Sequence, residues 1–250
     1  TIHYVLIHSK SGDIKGVFCS VPPHLKSDET DFSDISNFKI DTLLGQKAKE
    51  KISLGDFVTY DVAPKEMCGS FVTGKSFDDR AAVAILISLA ERLSDKKLPV
   101  NVKFVLSDME ELGTRGAVTV FYGEETDEAI ALDVSFGDAP DVNSDEYGRL
   151  SYGAMIGVSP VLDKGITDKL IGIAKDNGLK YQLEVMSGKT GTDADVISVS
   201  KCGIKTGLIS VPLRNMHTDV EVVDIKDLEN VCDILEKYII SFGEQNGKSA

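Results

Sequence analysis

The chain has 250 residues and a formal net charge of -13, with 42% hydrophobic and 27% charged residues. That charge opposes contact with a phosphate backbone, whose binding depends on Lys and Arg, so nucleic acid is excluded as a partner. No apolar run approaches the ~20 residues that span a bilayer, and the N-terminus lacks the tripartite form of a signal peptide, so no membrane partner and a cytoplasmic location are expected.

The length allows one good core with a smaller appendage, or two modest domains. Cys19, Cys68, Cys202 and Cys232 are far apart and form no CxxC pair, which fits reduced, mostly buried thiols rather than a zinc knuckle or a disulfide framework.

The elements change character near residue 70. Before it, "TIHYVLIH", "IKGVFCSV" and "DFVTYDV" are short β-branched and aromatic runs, the first two joined by the turn-rich "SKSGD". They predict a small β unit over 1–70, with a polar loop at "SDETDFSDIS" (27–36). After residue 70 the pattern alternates. "RAAVAILISLAERL" (80–93) has helical spacing, "VNVKFVLS" (100–107) reads as a strand, "TRGAVTVFYG" (114–123) as a short helix and "EAIALDV" (128–134) as a strand. A helix near 166–176, a strand near 181–186, a helix near 193–201, a strand at 205–211 and a C-terminal helix over 225–242 complete a domain spanning 71–250. Strands separated by helices predict an α/β fold with a mainly parallel sheet flanked by helices.

On such a sheet, reacting groups gather outside the carboxyl ends of the strands. Glu110 and Glu111 follow the run ending near Ser107, Asp133 ends "AIALD", and His217 follows "TGLISV". Asp78 and Asp79 immediately precede the first long helix. Each has a bland explanation alone, since paired acids cap helix N-termini and a lone His is usually incidental. Converging carboxylates, however, repel one another unless protons or a cation intervene. A mixed Asp/Glu/His set suits a divalent metal: zinc, cobalt or manganese.

The motifs "GKSFDDRAA", "MEELGTRGA", "ALDVSFGDAP", "SGKTGTDADVI" and "SVPLRNMHTDVEVVD" resemble, in this order, those of the M42 metallo-aminopeptidases, the group that includes the glutamyl and deblocking aminopeptidases and the tetrahedral TET peptidases. "IKGVFCSVPPHL" extends the resemblance into the β unit. The resemblance implies a zinc-aminopeptidase-like catalytic domain with a small β-barrel or PDZ-like dimerisation subdomain. It implies two divalent metal ions bridged by Asp78, with Asp79 as a supporting residue after an unusual peptide bond. Glu110 would be the general base, Glu111 a ligand of one metal, Asp133 of the other, and His217 a ligand on the Glu111 side. Short peptides are the implied substrates, and a cytoplasmic homo-oligomer the implied assembly, with dimers built through the β unit and often a twelve-subunit tetrahedron. Family members also carry an upstream "HxDE"-type metal-binding His, whereas the histidines here are His3, His8, His24 and His217. The site built on Asp78 and Asp133 is therefore short of a ligand. The expectation is a chain lacking the N-terminal segment of a longer protein, with a shortened homologue as the alternative. Asn215 stands where the family commonly has an aromatic residue.

"SGKT" (187–190) is not a phosphate-binding loop, because Leu183 stands where that loop needs Gly. No GxSxG elbow indicates a serine hydrolase. Two rivals to the peptidase are a non-catalytic, metal-depleted assembly or peptide-binding protein, and a glycoside hydrolase of the endoglucanase type. The latter also uses paired carboxylates. A chain with no Trp has little on which to stack sugar rings.

Overall fold

The computed structural model of the protein describes residues 3–19, 37–140 and 147–246. The loop expected at 27–36 and His24 lie outside these residues. The chain forms two compact units, Thr1–Pro64 and Lys65–Ala250.

In the first unit, β1 (Tyr4–Ser9) and β2 (Gly12–Phe18) form an antiparallel hairpin closed by the Ser9–Gly12 pair. Gly12 sits at φ +108°, a conformation that β-branched residues avoid, so the tight turn falls where the sequence permits it. The period-2 pattern of β1 buries Val5 and Ile7 and leaves Tyr4 and His8 outside. Two further strands, β3 (Ile40–Asp41) and β4 (Phe57–Tyr60), flank a short helix α1 (Ala48–Lys51) and complete a sheet of order β3-β2-β1-β4.

The second unit holds two sheets. A three-stranded antiparallel one, of order β11-β6-β5, comprises β5 (Lys65–Glu66), β6 (Phe71–Gly74) and β11 (Glu221–Asp224). The central sheet has the order β7-β10-β8-β9, from β7 (Glu128–Phe136), β8 (Ala154–Val158), β9 (Tyr181–Val185) and β10 (Lys205–Leu213). The β7–β10 and β8–β9 ladders are parallel, and the β10–β8 junction between them is antiparallel. Helices α2 (Phe77–Leu93), α3 (Arg115–Gly123), α4 (Lys164–Asp176), α5 (Ala194–Ile197) and α6 (Ile225–Asn246) make this the α/β architecture that the alternating pattern predicts.

Strand β10 is buried from Thr206 to Leu213, because both of its faces are covered. Ile209, Val211 and Leu213 meet Ile85 and Leu89 of α2, Leu170 of α4 and Val231 and Ile234 of α6 in the main core. Leu208 turns the other way, into a small cluster with Ala131 and Ala194. Alternation along β7 likewise sends Ile130, Leu132 and Val134 to the main core and Ala129 and Ala131 to the opposite face. Asp133 continues the latter row at the carboxyl end of the strand.

Three expectations need correction. The thiols are not mostly buried: Cys19, Cys68 and Cys202 are exposed, and Cys232 is buried. Residues 101–107 form no strand, because no ladder partner faces them among the described residues; the apolar alternation remains, with Phe104 half-buried and Leu106 exposed. Helix α5 ends at Ile197 rather than near residue 201. Strands β6, β8 and β11 add pairings that short runs such as "AMIGV" and "EVVD" do not announce locally. No helix of the described residues is long and apolar enough to cross a membrane.

Candidate metal centre

Four segments carry the polar residues to one place. Asp78 and Asp79 lie in the first turn of α2, yet neither has helical dihedrals, and the peptide bond between them is cis. That bond is the unusual one the family resemblance places before Asp79. Glu110 and Glu111 occupy a 3-10 turn, Glu110–Leu112, bounded by Met109 at φ +55° and Gly113 at φ +97°. Asp133 lies on β7, three residues before the strand ends, and His217, at φ +62°, sits in the loop between β10 and β11.

One group of donors closes on itself. His217 Nε2 lies 2.8 Å from Asp78 Oδ2 and 3.7 Å from Glu111 Oε1. The ligand-type atoms of Asp78, Glu111 and His217 all fall within 4.8 Å of one another. Two carboxylate oxygens and an imidazole nitrogen so placed fit a divalent cation chemically, and zinc takes such ligands at ~2.0–2.2 Å. The Asp78 side chain is only 12% exposed, whereas His217 and Glu111 are 63% and 62% exposed. The site is therefore anchored on one side and open to solvent on the other.

Asp133 does not join a three-donor group among the described residues. Its carboxylate accepts the N–H of Val134 at 2.8 Å. Burial first, and then the charges of Asp78 and Glu110, push it up to about 8. Burial likewise pushes Asp79 up to about 9, with Asp133 the next cause, although its carboxylate caps the Ala82 N–H at 3.0 Å. Asp78 is raised by burial and then by the charge of Glu111. Glu110 is raised by burial, then by Asp193 and Glu111. Each acid raises its neighbours, the behaviour of a cluster short of positive charge.

Two acids in the quoted motifs were not singled out by sequence reasoning. Asp193 precedes α5, accepts a hydrogen bond from the Ser107 hydroxyl, and has a second oxygen, Oδ1, buried without a hydrogen-bond partner. Glu221, on β11, is 2% exposed and accepts the backbone N–H groups of Phe77 and His217. Only an acid inside an apolar strand run, as in "DVEVVD", hints at such a role. Thr192, two residues before α5, accepts the Ala194 N–H with its hydroxyl.

The sequence profile described as M42 glutamyl aminopeptidase matches residues 2–234. The chain belongs to this peptidase family. It is 27% identical to the lysyl aminopeptidase of Pyrococcus furiosus over 242 residues, which cover 92% of the chain and 68% of that protein. Among solved structures, the aminopeptidase of the archaeon Desulfurococcus kamchatkensis superposes with a TM-score of 0.86 at 33% identity, covering 95% of the chain and 68% of its own. The TET1 peptidase of Pyrococcus horikoshii, which can assemble into a tetrahedron or a large octahedral shell, superposes with a TM-score of 0.78 at 28% identity, covering 95% and 72%. The M42 chain thus spans about two thirds of the length of these relatives.

Proposed function

We propose that the protein is a metal-dependent aminopeptidase that removes N-terminal residues from short peptides. The observation that carries this reading is the convergence of Asp78, Glu111 and His217 beside a third carboxylate, Glu110, that lies outside the group. Asp78, Glu111 and His217 would hold one divalent ion, zinc, cobalt or manganese, and Asp78 with Asp133 would hold a second. Bound there, such ions would lower the pKa of an attacking water and polarise the scissile carbonyl.

The chain's own residues supply the remaining work. Glu110 adjoins Glu111 in the same turn but is outside the donor group, so its carboxylate is left to take a proton from the attacking water. The same oxygen then returns that proton to the leaving amine. Burial and neighbouring acids raise its pKa, the direction that favours a group returning its proton to the leaving amine. Asp79 caps the first regular turn of α2 and so fixes the backbone from which Asp78 projects.

The self-assembly of the TET1 peptidase supports an oligomer, and the family resemblance adds dimer contacts through the first unit. The test is hydrolysis of a panel of aminoacyl chromogenic substrates with and without chelator. Cleavage that chelator abolishes and added Co²⁺ restores supports the reading. Activity unaffected by chelator, or confined to glycosidic substrates, contradicts it.

A further inference from the structure

Asp78, in the irregular first turn of α2, and His217, in the loop between β10 and β11, are 139 positions apart, and neither segment has regular dihedrals. The segment leading to Asp78 passes through Ser76 at φ +56°, and that leading to His217 through Asn215 at φ +57°, before His217 itself at φ +62°. Non-glycine residues adopt this region at a cost and persist there only when the surroundings hold them. One buried side chain touches both segments. Oε2 of Glu221 accepts the N–H of Phe77 at 2.6 Å and approaches that of Asp78 at 3.4 Å, while Oε1 accepts the N–H of His217 at 2.9 Å. The β6–β11 ladder brings Glu221 to this place, because Glu221 pairs with Gly74 at the last residue of β6.

A fully buried carboxylate usually answers to a cation. Glu221 has no salt bridge to Lys or Arg among the described residues, so its charge faces backbone N–H groups of the two segments instead.

We propose that Glu221 is a positioning residue for the metal centre, clamping the two segments in the one register in which the Asp78 carboxylate and the His217 imidazole meet. This rests on the metal-peptidase reading above. Gln at this position fits sterically but offers one acceptor and one NH₂ donor, so it must release one of the two segments. Asp keeps the charge but is one methylene too short to span both.

The test is Co²⁺ titration of the metal-free protein, followed by calorimetry and by the visible absorption of bound Co²⁺. Wild type is compared with Glu221→Gln and with Asp227→Asn. Asp227 is a matched control, a buried acid that clamps the Ser151 and Gly153 backbone at 2.7 Å each, outside the centre. Partners that orient metal ligands typically matter by ~10–100-fold in affinity. The expected result is a Co²⁺ dissociation constant raised ~10–100-fold in Glu221→Gln with an altered Co²⁺ spectrum, and neither change in Asp227→Asn. Equal affinity and spectrum in wild type and Glu221→Gln overturns the proposal while leaving the metal site standing. No Co²⁺ binding by wild type overturns the metal-site reading and the proposal with it. Should Glu221→Gln not fold, Glu221→Asp is read by the same criteria.

Discussion

Asp79 and Asp133 sit near each other with no cation to offset their charge, and their pKa values are pushed to about 9 and about 8 from an ordinary 3.8. Between about pH 4 and about pH 9 the metal-free native chain therefore binds more protons than the unfolded chain. Its stability is full below about pH 4 as far as these two groups are concerned, and falls as pH rises through 8 and 9. Thermal melts of the metal-free protein should show a lower Tm at pH 8.5 than at pH 6, and a saturating divalent ion should remove that difference. A Tm that rises over this range without metal contradicts the electrostatic account. Glu110 makes a separate claim at the same scale. Glu110→Gln should lower kcat ~10²–10⁴-fold, the span of a lost general base, while Co²⁺ affinity stays close to wild type. His217→Ala should instead lose the affinity itself, because it removes a donor from the group with Asp78 and Glu111.

At the scale of elements, the turn that presents Glu110 and Glu111 depends on a residue outside the site. A Cβ on Gly116 would lie 2.3 Å from the backbone N and 2.5 Å from the backbone O of Asp108, neither of which is a flexible side-chain end. The Gly116 N–H also donates to Asp108 O at 2.8 Å, fixing the start of the turn. Gly116→Ala should displace residues 108–111 and weaken Co²⁺ binding without touching a ligand. Ile209, fully buried in β10, tests the core: Ile209→Ala should cost ~2–5 kcal/mol in denaturant unfolding. What the sequence revealed follows the same division. Helix α2 and strands β1, β7 and β10 were readable because long periodic runs carry their own signal. Segment 100–107 has the periodicity of a strand, but a strand also needs a neighbour, and pairing is non-local. The candidate site was legible in its charged residues, since adjacent acids at strand ends are conspicuous. Glu221 and Asp193 were not, because their significance lies in which backbone or hydroxyl groups they meet across more than 80 intervening residues.

For the whole molecule, the exposed face of the first unit bears on assembly. Strand β4 is an edge strand of its sheet and carries Phe57, 79% exposed, with Tyr4 of β1 at 68%. Exposed apolar residues along an edge strand favour association. If the first unit mediates dimer contacts, the protein should sediment as a multiple of its 27.0 kDa chain, and Phe57→Asp should shift it toward smaller species. Sedimentation of both forms as single chains contradicts that part of the account. The central claim is narrower: three side chains from three segments, Asp78, Glu111 and His217, hold the ion on which peptide hydrolysis depends. It is tested most directly by soaking crystals in zinc and measuring anomalous scattering at the zinc edge. The account predicts a peak ~2.0–2.2 Å from an oxygen of Asp78, an oxygen of Glu111 and Nε2 of His217. Zinc bound elsewhere on the chain, with these three side chains carrying no anomalous density, would contradict it.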